Sequence, residues 1–243
     1  MRIIRVEHGG TSYYGILEDG LVFRLHQQPG HMEPIPLSEA KVLPLVTPSK
    51  VVCVGLNYKA HAEELGYPLP NMPSFFLKPP SSIIGNGEPI VLPSGMGRIE
   101  HEAELAMVVG KVCRNLTPEE AEESLFGFTC ANDVTAREVQ KVDPLIGHCK
   151  SYDTFCPIGP WIETELEDIN DLSIRCLVNG EVRQSANTGD MIFRPLDLLC
   201  FLSRVMTLMP GDVILTGTPP GISPIQADDV VQVSIEGIGT LSN

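Results

Sequence analysis

Three acidic side chains, Glu102, Glu104 and Asp133, have the types and spacing to bind a metal ion. Glu102 and Glu104 lie in the segment HEAEL, and side chains two residues apart in a strand project from the same face. Asp133 follows the apolar segment GFTCAN, at a corner between a predicted strand and a predicted helix. Two buried carboxylates repel each other without a cation, and no His or Cys pattern accompanies them, so the set suits a hard ion. We expect Mg²⁺, with Mn²⁺ or Ca²⁺ as alternatives.

A simpler interpretation of the same residues stays open at the level of spacing. Two glutamates in an ExE pattern also occur on a solvated strand face, and an aspartate at a strand-to-helix corner also caps helices. The two interpretations differ in burial, since only a metal site requires all three carboxylates to be enclosed.

His61 and Glu64 form a second candidate pair, three residues apart in a predicted helix. Side chains at this spacing share a helix face, so Glu64 can orient the imidazole and stabilise its protonated form. That arrangement is typical of a general base, although a surface histidine beside an acidic residue shows the same spacing. We expect Asn57 to cap the start of this helix and Gly66 to end it.

Basic residues are scarce, with 17 Lys+Arg against 31 Asp+Glu and a formal net charge of −14. This balance argues against nucleic acid or an anionic membrane as a partner. A small anionic substrate would need a local positive pole, which a metal ion, Arg137 and Lys150 could provide. We expect Arg137 one helical turn after Asp133 and Lys150 just before a strand. A structural salt bridge from Arg137 to Glu138 or Glu102 is the alternative.

Short strand patterns separated by turns predict an α+β protein that is predominantly β. The chain has 22 Gly and 21 Pro, a content typical of many turns. We predict a small N-terminal β-rich domain over residues 1–47 and a catalytic domain over residues 48–243. In the second domain, IEHEAELAMVVGK is expected to form one continuous strand, and RPLDLLCFLSRVMTL the longest amphipathic helix.

The cysteines and the N-terminus predict a cytoplasmic protein. The seven cysteines are odd in number and contain no CxxC pair, so we expect reduced thiols rather than disulfides or a zinc site. The sequence begins MRIIRVEHGG, which lacks the apolar stretch of a signal peptide, and no apolar run approaches the roughly 18 residues of a membrane span.

Six segments in order resemble the fumarylacetoacetate hydrolase family, from about Val51 to the last residue. They are GLNYKAHAEELG, KPPSSIIG, IEHEAELAMVVGK, GFTCANDVTAREVQ, KSYDTFCPIGPWI and MPGDVILTGTPPGI. The resemblance implies a mixed β-sandwich roll with a few short helices, usually assembled as a homodimer.

The resemblance also assigns expected roles, residue by residue. It implies that Glu102, Glu104 and Asp133 bind the divalent metal, that His61 and Glu64 are the catalytic dyad, and that Lys150 lies near the developing negative charge. The residues that match the family's substrate pocket are Tyr58, Arg137, Gln140 and Thr218.

From this resemblance we expect a Mg²⁺-dependent hydrolase that cleaves a carbon–carbon bond in a small 2,4-dioxo acid of the acylpyruvate or fumarylpyruvate type, through a metal-stabilised enolate. The same enolate serves relatives that isomerise 2-hydroxyhepta-2,4-diene-1,7-dioate, decarboxylate 5-carboxymethyl-2-oxo-hex-3-ene-1,7-dioate or decarboxylate oxaloacetate. A non-catalytic protein that binds oxo acids is a further alternative. The intact dyad favours hydrolysis, since a simple decarboxylase needs it less.

Overall fold

The computed structural model describes residues 1–25, 33–143 and 145–243, so residues 26–32 of the predicted N-terminal domain lie outside the described part. The strands in that part are β1 (Arg2–His8), β2 (Thr11–Glu18), β3 (Leu21–Arg24), β4 (Ile35–Pro36), β5 (Lys41–Val42), β6 (Val51–Gly55), β7 (Ser74–Lys78), β8 (Ile83–Ile84), β9 (Ile99–Glu100), β10 (Ala103–Val109), β11 (Leu125–Asn132), β12 (Thr135–Ala136), β13 (Cys156–Glu163), β14 (Ser173–Val178), β15 (Glu181–Asn187), β16 (Val213–Leu215), β17 (Val231–Ile235) and β18 (Gly239–Ser242). The α-helices are α1 (Lys59–Leu65), α2 (Pro118–Glu122), α3 (Arg137–Val142), α4 (Ile146–Lys150) and α5 (Pro195–Val205). The prediction of a mainly β protein with a few short helices is confirmed.

Most strands join one large mixed sheet. Its order is β4-β3-β2-β1-β13-β11-β10-β16-β6-β7, with β5 paired to β1 and β8 paired to β13. A four-stranded sheet, β15-β14-β17-β18, packs over β10, β11 and β13. The strands of residues 1–47 extend the large sheet through β1, which pairs with β13. The division of the chain near residue 47 stays a prediction of the sequence.

Strand directions bring four chain segments to one end of the sheet. β6 runs parallel to β16, and β16 runs antiparallel to β10, so the start of β10 lies where β6 and β16 end. β11 is antiparallel to β10 and pairs Asn132 with Ala103, which puts the end of β11 at the same place. The residues that follow β6, β11 and β16, together with those at the start of β10, therefore meet there.

Two apolar clusters hold this arrangement. One lies between the large sheet and the four-stranded sheet and includes Leu105, Met107, Ile174 and Leu198, the last of these on α5. The other lies on the opposite face of the large sheet, where the N-terminal strands pack against β6, β10 and β16. Side chains of β10 alternate between the two clusters, which explains why every residue of that strand is buried.

Of the two predicted ends of α1, the C-terminal one is confirmed and the N-terminal one is not. Gly66 ends α1 at φ 70°, as predicted, and Thr117 begins α2 with a capping box in which Glu120 Oε2 accepts from the Thr117 N–H. The prediction that Asn57 caps α1 was wrong, because Tyr58 occupies the cap position without a side-chain bond. The Asn57 side chain instead donates to the carbonyls of Phe193 and Thr216, where it ties α1 to the segment after β16.

Three expectations about the elements near the acidic residues also need correction. The predicted long strand is broken between β9 and β10, so Glu102 lies just before β10. Arg137 begins α3, which is separated from Asp133 by the short strand β12, so the two residues do not share a helix. Lys150 ends the short helix α4, which the sequence did not predict.

The seven cysteines are buried and unpaired, as predicted. Among the described helices, none has the length and apolar character needed to cross a membrane.

Candidate active site

The three predicted metal-binding carboxylates converge. One oxygen from each of Glu102, Glu104 and Asp133 lies within 4.8 Å of the others, and all three side chains are buried. Glu104 projects from β10, whereas Glu102 is held by its backbone, since its N–H donates to Asn132 Oδ1 and its carbonyl accepts from the Asp133 N–H. The convergence depends on the pairing of β10 with β11, and the burial excludes the solvated-face interpretation.

Two buried lysines neutralise part of this acidic cluster. Lys150 Nζ donates to Glu102 Oε2 at 2.7 Å and to Asp133 Oδ2 at 2.6 Å. Lys78 Nζ donates to Asp133 Oδ1 at 2.5 Å and to the Phe155 carbonyl at 2.8 Å. Asp133 thus lies between two ammonium groups, each of which is almost fully buried.

Arg137 forms the salt bridge that was the alternative to substrate binding. Its guanidinium donates to Glu100 Oε2 at 2.5 Å and contacts Glu102 Oε1. Nη1 also donates to Gln140 Oε1 at 2.8 Å, so Arg137 and Gln140 lie together. Both residues line the cavity described below. Arg137 therefore pairs with two glutamates and still faces the cavity.

The carboxylates differ in their electrostatic environment. Burial raises the pKa of Glu102, but Lys150 and Arg137 outweigh that effect and lower it to about 2. Burial also raises the pKa of Glu104, and the neighbouring charges of Asp133 and Glu102 raise it further, to well above the usual range. Within the described residues Glu104 has no salt bridge, and its Oε2 accepts from the Gly217 N–H at 2.5 Å.

A divalent cation fits this donor set. All three side chains offer oxygen, the ligand that Mg²⁺, Mn²⁺ and Ca²⁺ prefer. Glu104 is the carboxylate that lacks a cationic partner in the described part of the chain, although it is 1% exposed. An ion bound by Glu102, Glu104 and Asp133 would satisfy that buried charge.

His61 and Glu64 form the predicted pair. Glu64 Oε2 lies 2.8 Å from His61 Nδ1, and because a carboxylate can only accept, Nδ1 carries the hydrogen. Nε2 is then the basic nitrogen. Glu64 Oε1 accepts from the Gly221 N–H at 3.1 Å, which anchors the dyad to the turn after β16. His61 is 5% exposed and lines the same cavity as the three acidic residues.

That cavity has a volume of about 360 Å³, at the small end of ligand sites. Eight of the ten predicted site residues line it: His61, Glu102, Glu104, Asp133, Arg137, Gln140, Lys150 and Thr218. Glu64 supports His61 without facing the cavity.

Tyr58 is the other predicted site residue that does not line the cavity. It is buried at the start of α1, and its hydroxyl has no hydrogen-bond partner among the described residues. Burial raises the pKa of this hydroxyl, and the charge of Glu104 adds to the effect. The Tyr58 side chain packs in the apolar cluster between the two sheets.

Thr218 is held by a residue that the sequence analysis missed. Its hydroxyl donates to the Ala103 carbonyl at 2.9 Å and accepts from Gln184 Nε2 at 2.8 Å. Since the hydroxyl hydrogen is committed to Ala103, the Thr218 hydroxyl has none left for a substrate carboxylate. Gln184 is fully buried, and its Oε1 accepts from the Ala103 N–H and contacts His101 Nδ1.

Lys78 was also missed, and the sequence did contain a signal for it. Side chains in β7 alternate, so Ser74, Phe76 and Lys78 share one face, and the first two line the cavity. No comparable signal exists for Gln184, which reaches the site from the four-stranded sheet.

The fold and the site together define a class of protein: a mainly β enzyme fold with a buried carboxylate triad and a His-Glu dyad facing one cavity. Residues 50–243 match the family model described as fumarylacetoacetate (FAA) hydrolase C-terminal, and residues 1–44 match one described as Rv2993c-like, N-terminal. The chain belongs to the fumarylacetoacetate hydrolase family, as the sequence motifs predicted.

Solved relatives and curated relatives agree with this assignment. 5-Carboxymethyl-2-hydroxymuconate delta-isomerase from Mycobacterium smegmatis is 42% identical, with a TM-score of 0.92 over 100% of this chain and 97% of that chain. Maleylpyruvate hydrolase from Sphingobium sp. SYK-6, solved with manganese(II) and pyruvate, is 31% identical, with a TM-score of 0.83 over 100% of this chain and 97% of that chain. Human mitochondrial oxaloacetate tautomerase FAHD2A is 42% identical over 86% of this chain and 70% of the relative. The protein is accordingly an enzyme of the family that processes small oxo acids.

Proposed function

We propose that the protein is a Mg²⁺-dependent hydrolase that cleaves the carbon–carbon bond of a small 2,4-dioxo acid of the acylpyruvate type. The observation that carries this proposal is that the His61–Glu64 pair and the triad of Glu102, Glu104 and Asp133 line or support one cavity. A general base facing a carboxylate-bound cation is what hydrolysis of such a bond requires. Mn²⁺ and Ca²⁺ are the alternative ions.

In this mechanism His61 activates water. Nε2 takes a proton from the water molecule, while Glu64 stabilises the imidazolium through Nδ1. The hydroxide attacks the distal carbonyl, the bond between that carbon and the neighbouring methylene breaks, and the electron pair passes to the methylene as the enolate of pyruvate. The proton held on His61 Nε2 then passes to the enolate carbon, which yields pyruvate and regenerates the base, and the distal fragment leaves as a carboxylic acid.

The cationic side chains stabilise the negative charge that develops. Lys150 lies 2.7 Å from Glu102 and 2.6 Å from Asp133, at the cavity wall. When bound by the triad, a divalent ion would supply Lewis-acid stabilisation of the enolate oxygen. Arg137 holds Glu102 and Gln140 in place, and the segment around Thr218 borders the space for the substrate carboxylate.

A second candidate is a keto–enol isomerisation of an oxo diacid. Two relatives support it, since the tautomerase and the isomerase are each 42% identical to this chain. That reaction needs a base to move a proton between carbon and oxygen, a role that His61 could also fill, but it needs no attacking water. A homodimer and a cytoplasmic location stay predictions of the sequence.

Product analysis distinguishes the candidates. Purified protein loaded with Mg²⁺ is given acetylpyruvate and, separately, oxaloacetate, and the products are followed by NMR in parallel with His61→Ala. The proposal expects equimolar pyruvate and acetate from acetylpyruvate, at a rate lowered in the variant by a factor of about 10² or more. If the protein accelerates enol–keto exchange of oxaloacetate and leaves acetylpyruvate unchanged, it is a tautomerase and the hydrolase proposal is wrong.

A further inference from the structure

Away from its acidic end, the cavity is lined by apolar side chains. Leu56 follows β6, Leu65 ends α1 and Ile146 begins α4, whereas Phe76 on β7 lies at the acidic end, with its ring centroid 5.2 Å from Lys150 Nζ. Val54, Tyr67 and Pro70 also line the cavity, as does the polar side chain of Ser74. Leu65 and Tyr67 are 44% and 61% exposed, so the apolar wall reaches the mouth of the cavity.

The cationic side chains of the described lining already have carboxylate partners. Arg137 is engaged by Glu100 and Glu102, and Lys150 by Glu102 and Asp133. His61 Nδ1 is likewise bonded to Glu64.

None of the other described cations on α1, β7, α3 and α4 offers a substitute. Lys78 is fully buried against Asp133, and Lys141 pairs with Glu138 on the exposed side of α3. His148 pairs with Asp143. Lys59 lies on α1 two residues before His61, which places it on roughly the opposite side of that helix from the cavity.

These contacts decide what the far end of a substrate would meet. An oxo acid whose carboxylate binds near the triad extends its other end towards Leu56, Leu65 and Tyr67. A methyl or methylene group gains from contact with such a wall, whereas a carboxylate loses hydration there without finding a cation.

We infer that the site selects oxo acids that carry a single carboxylate and an uncharged far end, with Leu65 and its apolar neighbours as the specificity-determining residues. The inference rests on the proposed function, because it takes the triad as the place where the 2-oxo carboxylate binds. It favours acylpyruvates with an alkyl tail over diacids of the same length.

A matched pair of unreactive ligands tests this selectivity. 2-Oxohexanoate and 2-oxohexanedioate have the same chain length and differ in whether the far end is a methyl or a carboxylate group. Isothermal titration calorimetry on the Mg²⁺-loaded protein should give a Kd for the monoacid lower by a factor of about ten or more. Leu65→Arg adds a cation one helical turn from His61 and should narrow or reverse that ratio.

Leu69→Arg is the control for a new surface charge, since Leu69 is also an exposed leucine but does not line the cavity. It should leave the ratio of the two Kd values unchanged. Equal binding of the two acids, tighter binding of the diacid, or no binding of either would overturn the inference. The acetylpyruvate assay is separate: cleavage of acetylpyruvate together with equal binding refutes the selectivity alone, whereas selective binding without cleavage refutes the hydrolase assignment alone.

Discussion

Gly217 donates its main-chain N–H to Glu104 Oε2 across 2.5 Å, and so joins the turn after β16 to the buried carboxylate that lacks a salt bridge among the described residues. Gly217 has φ +99°, and a Cβ at this position would lie 2.7 Å from the Cβ of Asn57. Asn57 is itself fixed by bonds to Phe193 and Thr216, so it has little room to move. The turn therefore requires glycine for both its conformation and its space.

Gly217→Ala is expected to weaken metal binding. The added methyl must displace the turn from Asn57, and Glu104 then loses its N–H donor. Calorimetric titration with Mn²⁺ should show a higher Kd. Gly180→Ala is the control, because Gly180 has φ +81° with no atom near the Cβ position. Both variants should lose about 1 kcal/mol of stability through backbone strain, and Gly217→Ala should lose more because of the contact with Asn57. Equal Mn²⁺ affinity in the two variants would contradict the role of the turn.

Glu104→Gln should abolish metal-dependent stabilisation while the protein still folds. The pKa of Glu104 is raised by burial and by the charges of Asp133 and Glu102, so a neutral side chain suits the metal-free state. For the wild type, Mg²⁺ or Mn²⁺ at a hundred times its Kd should stabilise the fold by about 2.7 kcal/mol, visible as a higher Tm. Glu7→Gln, at an exposed position, should retain this shift. A full shift in Glu104→Gln would exclude Glu104 as a ligand.

His61→Asn should lower kcat for acetylpyruvate by a factor of about 10² to 10⁴, since the amide cannot act as a base. Glu64→Gln should have a smaller effect, because the imidazole keeps its position but loses the carboxylate that stabilises its charge. Glu63→Gln changes an exposed neighbour on the same helix and serves as the control. Steady-state kinetics measure all three, and a loss in Glu63→Gln as large as that in Glu64→Gln would argue against the dyad.

Gln184→Met should raise KM more than it lowers kcat. The side chain bonds to Thr218, Pro219 and Ala103, and methionine has a similar length without donors or acceptors. We expect Thr218 to shift, and stability to fall by about 2 kcal/mol from the unsatisfied buried groups. Gln232→Met, on β17 of the same sheet, should change neither parameter. If stability falls but KM does not change, Gln184 is purely structural.

Asp212→Asn should destabilise the protein at neutral pH by about 3 kcal/mol, since it removes a buried charge partner of Lys50. Burial raises the pKa of Asp212, but bonds from Lys50, Met209 and Ser49 outweigh it, so the folded-state pKa is lowered. The stabilisation is then present above the unfolded pKa of about 3.9 and is lost as pH falls through the folded pKa.

Urea unfolding at pH 7 and at lower pH measures this linkage. The difference between wild type and Asp212→Asn should narrow once the pH falls below about 4. Asp153→Asn, at an exposed position, is the control and should remain close to wild type throughout. A difference that is independent of pH would mean that the ionised form of Asp212 contributes nothing.

The sequence by itself determined the local features of this protein. The spacing of His61 and Glu64 is a property of one helical turn, the capping of α2 by Thr117 involves neighbouring residues, and the mainly β class follows from short apolar segments between turns. The six family motifs identified the acidic residues and their family. The dyad and the cap depend on contacts between residues that are close in the chain, and the β class and the motifs follow from the order of residues along it.

Only the tertiary structure decided how the site is assembled. Lys78 reaches Asp133 across 55 positions, Lys150 reaches Glu102 across 48, and Gln184 reaches Thr218 from a different sheet. Such contacts depend on the register of β10 with β11 and on the parallel pairing of β6 with β16, which no local pattern specifies. The physical reason is that the neighbours of each strand determine which charges are buried and which are paired. Those neighbours depend on the packing of the whole chain.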